Sequence, residues 1–210
     1  CAIPYENKKF ISNKKFSRQE LGLPIDGFVF TCFNDIKKIT PKEFKIWMSL
    51  LLKVENSVLW MLKPNSTAIR KILYEISNHG IDEKRVIFAE RMKLDDHISR
   101  HYCGDLFLDT FNFNAATTAN IALSSGLPII TLLGKSYCAR TCASILKYSD
   151  LDELITNSDL QYEKLAYELA TNKEKLNHIR MKLSKKGTSF FDSNKFTSEL
   201  ENIYIKIMNI

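Results

Sequence analysis

Seven glycines and five prolines are few for a chain of 210 residues. That scarcity leaves no Pro/Gly-rich linker and no low-complexity tract to separate domains. No run of about 18 apolar residues occurs, which excludes a membrane-spanning helix. The opening, CAIPYENKKF, has neither an initiator Met nor an apolar leader core, as expected of a fragment or trimmed chain. The dinucleotide fingerprint GxGxxG is missing. A GKS triplet at Gly134-Lys135-Ser136 imitates a phosphate loop, but Ile129 stands where that motif's first glycine must be, so no loop can wrap a triphosphate there. The five cysteines (Cys1, Cys32, Cys103, Cys138, Cys142) are odd in number and scattered. This excludes a disulfide framework and fits free thiols in a reducing cytoplasm. Cys138 and Cys142 lack a second ligand pair at zinc-like spacing and read as core. His97, His101 and Cys103 cluster in sequence, yet spacing fixes no further ligand beside them, so a non-metal role is preferred.

What is present is ordinary globular content, with 45% apolar residues arguing against disorder. The net charge of +6 is local: residues 1–20 hold five Lys/Arg against two Glu, and 173–186 hold six against one. A basic surface attracts nucleic acid or acidic membranes. No aromatic residue interleaves with the cations of 173–186 to stack on bases. A solvated helix face and a basic lead-in are therefore preferred, with neither nucleic acid nor membrane as a partner.

FVFTCF (28–33), SVLWML (57–62), RVIFA (85–89), DLFLDT (105–110) and LPIIT (127–131) are short and apolar and read as strands. TPKEFKIWMSLLLKV (40–54), STAIRKILYEISNHG (66–80), LDDHISRHY (94–102), TTANIALSSG (117–126) and YCARTCASILKY (137–148) read as helices. Thr40, Pro41 and Glu43 predict a capping box with proline at the first helical position. Strands buried on both faces and alternating with helices predict an α/β fold, a Rossmann-like doubly wound parallel sheet. Beyond about Leu160 only helical patterns follow: QYEKLAYELAT, EKLNHIRMKLSKK and SNKFTSELENIYIKIM. The predicted organisation is a basic lead-in over 1–20, a Rossmann-like domain over 21–158 and C-terminal helices over 159–210 packed on that domain.

In such sheets ligands bind beyond the carboxyl ends of the strands. The loops there carry NDIKK, ERMK and FNFNAATT. In LFLDTFNFNAATTANIALSSGLPIIT (106–131), Thr117 and Thr118 open a helix that follows a strand. Unpaired backbone N–H groups and the helix dipole favour an anion there. The small Ala115 and Ala116 let it approach, and two hydroxyls add hydrogen bonds, which makes a phosphate cradle. Taken alone, such a start is more often only a structural cap.

Longer stretches carry a resemblance. FTCFNDIKKITPKEFKIWMSLLLKVENSVLWML, RVIFAERMKLDDHISRHYCGDLFLDTFNFNAATTANIALSSGLPIITLLGKSYCARTCASIL and FFDSNKFTSELENIY, in this order, resemble the C-terminal catalytic lobe of the O-GlcNAc transferase family. These are UDP-GlcNAc–peptide N-acetylglucosaminyltransferases and their bacterial tetratricopeptide-linked relatives. The resemblance runs from about Lys9 to the C-terminus. It implies the C-terminal lobe of a GT-B glycosyltransferase, with a nucleotide-sugar site in 21–158. The implied reaction is inverting transfer of a sugar, usually GlcNAc, from a UDP-sugar donor to a protein Ser/Thr hydroxyl. No cofactor and no metal are implied. The implied partners are a protein acceptor, a second catalytic lobe and tetratricopeptide repeats, and the implied compartment is cytoplasmic.

Carried over by position, Lys38 matches the catalytic lysine that faces the diphosphate, where a cation offsets leaving-group charge. Asn34 matches the asparagine of the same loop, and Asp35 stands where the family often has Gln or Asn. Met92 occupies the position whose backbone pairs with the base. Arg100 matches the arginine near the uracil, with His97 on the same helix. Thr117 and Thr118 match the diphosphate threonines, and Asn114 lies in the loop before them. Two departures stand out: Ala116 replaces a His common before the threonines, and Ile121 replaces an acidic residue that holds the ribose. They motivate an alternative, a degenerate or truncated relative that binds UDP or a partner without catalysis. A third reading, a basic nucleic-acid module, would show salt-dependent DNA or RNA binding.

Overall fold

A computed structural model describes residues 14–186 and 193–208. Most of the basic lead-in, Cys1, and Phe190 and Phe191 of the closing stretch lie outside the described residues.

Six parallel strands form one sheet in the order β3-β2-β1-β4-β5-β6. They are β1 Val29–Cys32, β2 Val58–Leu62, β3 Val86–Ala89, β4 Leu106–Leu108, β5 Ile129–Leu132 and β6 Ile155–Thr156. The predicted strands are all present, though shorter. β6 went unrecognised because two residues carry no pattern; it forms by pairing Thr131 with Ile155 and Leu132 with Thr156. The middle strands are apolar on both faces because helices cover both. Their order reverses between β1 and β4, where Phe30 pairs with Leu106. The loops after these two strands therefore diverge to opposite sides and leave a crevice.

The helices are α1 Pro41–Lys53, α2 Ser66–Asn78, α3 Leu94–Arg100, α4 Thr117–Ser124, α5 Thr141–Tyr148, α6 Asp159–Thr171, α7 Lys173–Lys186 and α8 Ser193–Met208. Pro41 does begin α1, but the capping box is different from the predicted one. No side chain caps the helix N–H groups; the Thr40 hydroxyl bonds the Glu43 carboxylate instead. Glu43 is fully buried, and its other oxygen accepts from the Phe111 N–H at 3.5 Å. A long-range partner has displaced a local one. α2 is capped by Asn65, whose Oδ1 accepts from the Ala68 N–H, and it ends before Gly80 at φ 69°. α5 begins four residues later than predicted because 134–139 is a closed turn. Gly134 N–H donates to the Ala139 carbonyl, and a Cβ at Gly134 would sit 2.4 Å from the Ala139 methyl. The GKS triplet thus belongs to a tight turn.

α6 packs against α1, β4 and β5, burying Tyr162, Ala166 and Leu169. α7 buries Leu176, Ile179 and Leu183. α8 leaves Ile203, Tyr204, Ile205, Ile207 and Met208 exposed. Among the described residues no helix is long and apolar enough to cross a membrane.

The basic segments are more structural than a solvated face. Arg18 donates to Asp105 at 2.6 Å and to the Gly27 carbonyl at 2.8 Å. Arg180 reaches the other Asp105 oxygen at 2.8 Å, Lys175 pairs with Glu168 at 2.5 Å, and Lys182 pairs with Glu153.

Candidate functional site

The crevice at the order reversal gathers most of the residues singled out in sequence. Cys32 ends β1, and Phe33 and Asn34 follow it, both buried. Asn34 Nδ2 donates across the reversal to Asp109 Oδ1 at 3.1 Å and to Thr110 Oγ1 at 2.9 Å. The loop after β1 is thereby fastened to the loop after β4.

Asp35 then starts a 3-10 turn over Ile36–Lys38, its carboxylate accepting from the Lys37 N–H at 3.0 Å. The exposed carboxylate caps the turn that carries Lys38, a local use that accounts for an acidic residue in this loop. Lys38 Nζ lies 3.2 Å from the Asn114 carbonyl oxygen and 4.2 Å from the centre of the Phe113 ring. A cation from one side of the reversal is thus held over the loop on the other.

That loop is stiff. Thr110 Oγ1 donates to the Phe113 carbonyl at 2.6 Å, and Asn114 Nδ2 donates to the Thr110 carbonyl at 2.7 Å. Asn114 N–H donates to the Cys138 carbonyl at 2.9 Å, from the turn before α5. The loop delivers the chain to α4, whose N-cap, Ala116, offers no side-chain acceptor. The first ladder bond closes at the Asn120 N–H, onto the Ala116 carbonyl at 3.1 Å. Thr117 is exposed and Thr118 half-buried, so the helix start faces solvent. A partial positive charge and orphan donors are present there.

The second group lies beyond β3. Met92 is half-buried in the loop leading to α3. Arg100 is fully buried: its Nη1 donates to the Glu90 carbonyl at 2.6 Å and its guanidinium stacks 4.5 Å from the Phe33 ring centre. In this geometry Arg100 fastens the Glu90 carbonyl, two residues before Met92. Its Nη2 donates to His97 Nδ1 at 2.6 Å, which puts the His97 proton on Nε2. Burial, helped by the Arg100 and Arg91 charges, pushes His97 down to about 4, so it is neutral at pH 7. Burial likewise lowers Arg100, to about 10. Phe33 joins the two groups, lying 5.2 Å from His97 and 4.9 Å from His101 while its neighbour Asn34 grips the loop after β4.

Four contributors were missed in sequence: Phe33, Glu43, Asp109 and Thr110. Asp109 had a readable signal, being an acidic residue that closes an otherwise apolar core strand. It is completely buried, and burial raises it to about 6 against the lowering effect of its hydrogen bonds. The buried Oδ1 atoms of Asn34 and Asn114 find no partner within the protein. Among the described residues no three of His, Cys, Asp or Glu gather as metal ligands. Ile121 sits on α4 and is 5% exposed.

Known proteins share both the sequence and the fold. The chain is 32% identical over 201 residues to the probable UDP-N-acetylglucosamine–peptide N-acetylglucosaminyltransferase SEC of Arabidopsis thaliana, covering 94% of this chain and 21% of that protein. The UDP-N-acetylglucosamine–peptide N-acetylglucosaminyltransferase of Caenorhabditis elegans is 29% identical over 192 residues, with coverages of 89% and 16%. The chain therefore spans about a fifth of the length of these relatives. A mutant of the Thermobaculum terrenum O-GlcNAc transferase superposes with a TM-score of 0.81 at 26% identity, over 85% of this chain and 35% of that one. The pattern that defines glycosyl transferase family 41 matches residues 8–200, and the chain belongs to that family.

Proposed function

We propose that the protein is the donor-binding lobe of a glycosyltransferase that moves a sugar from a UDP-sugar to a protein Ser/Thr hydroxyl. The observation that carries this reading is Lys38 Nζ, poised 3.2 Å from the Asn114 carbonyl and three residues before the open start of α4. A fixed cation and a helix N-terminus on either side of one crevice suit a diphosphate leaving group. The uridine end then lies toward Met92 and His97, whose neutral imidazole offers an N–H donor. Donor GlcNAc, inversion at the anomeric carbon, and catalysis without a metal or cofactor belong to the same proposal, as does a cytoplasmic setting. They rest on the family's character.

Lys38 acts on charge that grows as the sugar–phosphate bond breaks, so it contributes more in the transition state than in the bound donor. The described residues form one wall of a GT-B cleft. Transfer needs an acceptor hydroxyl held roughly 3–3.5 Å from the anomeric carbon, and a second lobe supplies that wall. Tetratricopeptide repeats would bring the acceptor protein. The chain alone is expected to bind UDP and to transfer nothing.

The test is calorimetric titration with UDP and with uridine, followed by chemical-shift mapping. Shifts at Lys38, Thr117 and Thr118 are expected for UDP and not for uridine. Absence of UDP binding at millimolar concentration overturns the proposal. A second reading, a relative that binds UDP without transfer, is favoured by Ile121 and Ala116, which put no carboxylate or imidazole at α4. Labelled UDP-GlcNAc supplied with a complementing second lobe and cell lysate separates the two: protein labelling supports the enzyme, and binding without labelling supports the relative.

A further inference from the structure

Asp109 is the most connected side chain in the site, yet it is sealed from solvent. Its Oδ1 accepts from the Ala115 N–H at 2.7 Å, the Thr110 N–H at 2.8 Å and Asn34 Nδ2 at 3.1 Å. Its Oδ2 accepts from the Thr131 hydroxyl at 2.7 Å, and the Cys142 thiol also donates to it. These donors come from the loop after β1, both ends of the loop after β4, strand β5 and helix α5. Among the described residues no cation pairs with it; Cys32, Cys142 and Tyr162 lie within reach of its charge, and the Tyr162 hydroxyl donates to its backbone carbonyl at 3.1 Å.

Burying a carboxylate among neutral donors is costly, and a neutral residue would close β4 more cheaply. What the carboxylate supplies is acceptor capacity. One oxygen takes two backbone N–H groups five residues apart, which fixes the span of the loop between them. Ala115 is the residue before the α4 N-cap, so the same oxygen sets where the helix starts and where its free donors point. Glu43 holds the Phe111 N–H from the α1 side.

We propose that Asp109 is a positioning residue for donor binding: it holds the loop between β4 and α4 so that the α4 N-terminus and the Lys38-bearing turn stay aligned on one anion. This inference rests on the UDP-binding reading above. Asp109 touches no ligand in it and acts through the Ala115 and Thr110 backbone and through Asn34.

Two substitutions separate positioning from bulk structure. Asp109→Asn can keep its carbonyl oxygen on the Oδ1 donors and turn its amide toward the Thr131 hydroxyl, which can reverse to accept. Asp109→Ala strips the donors of any acceptor. With UDP as the probe, folded Asp109→Ala is expected to lose affinity on the order of tenfold or more. Asp109→Asn is expected to bind within about threefold of wild type, a rescue that general destabilisation would not produce. If Asp109→Ala does not fold, amide exchange on the unliganded wild type decides: Ala115 and Thr110 must be protected like the neighbouring strand. Wild type that fails to bind UDP overturns the donor-site reading itself. Wild type that binds while folded Asp109→Ala binds equally well, or while the Ala115 amide exchanges like an open loop, overturns the positioning role alone.

Discussion

The two ends of strand β4 each carry an aspartate next to the strand, and they use it in opposite ways. At the amino end, Asp105 is 12% exposed and faces two cations, Arg18 from the lead-in and Arg180 from α7, and it also accepts from the Val29 N–H at 2.8 Å. At the carboxyl end, Asp109 is sealed and faces only neutral donors. Asp105 closes the fold: it ties a segment before the sheet and a helix after it to β1 and β4. Asp109 orders a loop beside a crevice. The same side chain serves as a charge clamp where paired and as a multiple acceptor where unpaired. The difference matches the general polarity of parallel sheets, in which the amino edge carries stability and the carboxyl edge carries chemistry.

Removing the clamp gives the largest expected effect. Asp105→Ala leaves two guanidinium groups and the Val29 N–H without their partner, and loss of one member of such a network costs about 3–5 kcal/mol. Partial exposure of Arg18 and Arg180 puts the expectation at the lower end. Urea unfolding measures it; UDP affinity of the folded fraction is expected to stay unchanged. A tenfold loss of affinity at Asp105 would erase the contrast between the two ends.

Next is the pH response of Asp109. Its folded value is raised from 3.8 to about 6, so its favourable contribution is complete below 3.8 and lost as pH rises through 6. His97 is lowered to about 4 and His101 is lowered well below 6.5, so their contribution has the opposite sign and is lost as pH falls below 6.5. Asp109→Asn removes only the first of these. The variant is expected to match wild type at pH 4 and to exceed it above pH 6, by up to ~3 kcal/mol. Denaturation midpoints across that range check it. A stability gap that does not change with pH would mean the carboxylate is not the titrating group.

How much of this contrast was legible in sequence depends on the range of the interactions. The strands, the α/β alternation and the helix start at Thr117 follow from local apolar runs and cap residues. The family stretches pointed to Lys38, Asn34 and the threonines without showing what holds them. Asp105 and Asp109 are the same letter four residues apart, and although each stands out at the end of an apolar strand, that local signal does not say which is paired and which is sealed. Their fates are set by Arg18 and Arg180 on one side and by Asn34, Ala115 and Thr131 on the other, all brought in by topology. Glu43 is the same lesson in a helix: its capping-box spacing is correct, yet the Phe111 N–H of a distant loop claims it. The resemblance puts Arg100 near the uracil, and nothing local announces its burial against Phe33 and Trp60 or its bond to the Glu90 carbonyl.

Lys38→Ala sharpens the functional end with a smaller effect. Losing a charged hydrogen-bond donor to a diphosphate costs about 1.5–3 kcal/mol of UDP binding. Uridine affinity and the denaturation midpoint are expected to stay as in wild type, because Lys38 is half-buried and is held by one carbonyl and one ring. Equal losses for uridine and UDP would place Lys38 away from the phosphates.

The smallest expected effect comes from the threonine hydroxyls themselves. Neither caps α4, since the N-cap is Ala116 and no side-chain cap is made. Thr117→Val and Thr118→Val therefore leave the helix start intact and delete one hydroxyl each. If the backbone N–H groups and the dipole carry most of the anion binding, each change costs about 1 kcal/mol or less of UDP affinity. Thr117→Pro is the harsher companion: it removes the N–H at the first helical position, and it also forces Ala116, now at ψ −84°, toward extended backbone. In the folded protein it is expected to weaken UDP binding more than Thr117→Val, with a lower midpoint because the Ala116 backbone must turn. The reverse order, with valine worse than proline, would make the hydroxyl the principal ligand. The carboxyl edge of the sheet would then owe its anion affinity to side chains, and the loop that Asp109 holds would matter for placing a hydroxyl and not a helix end.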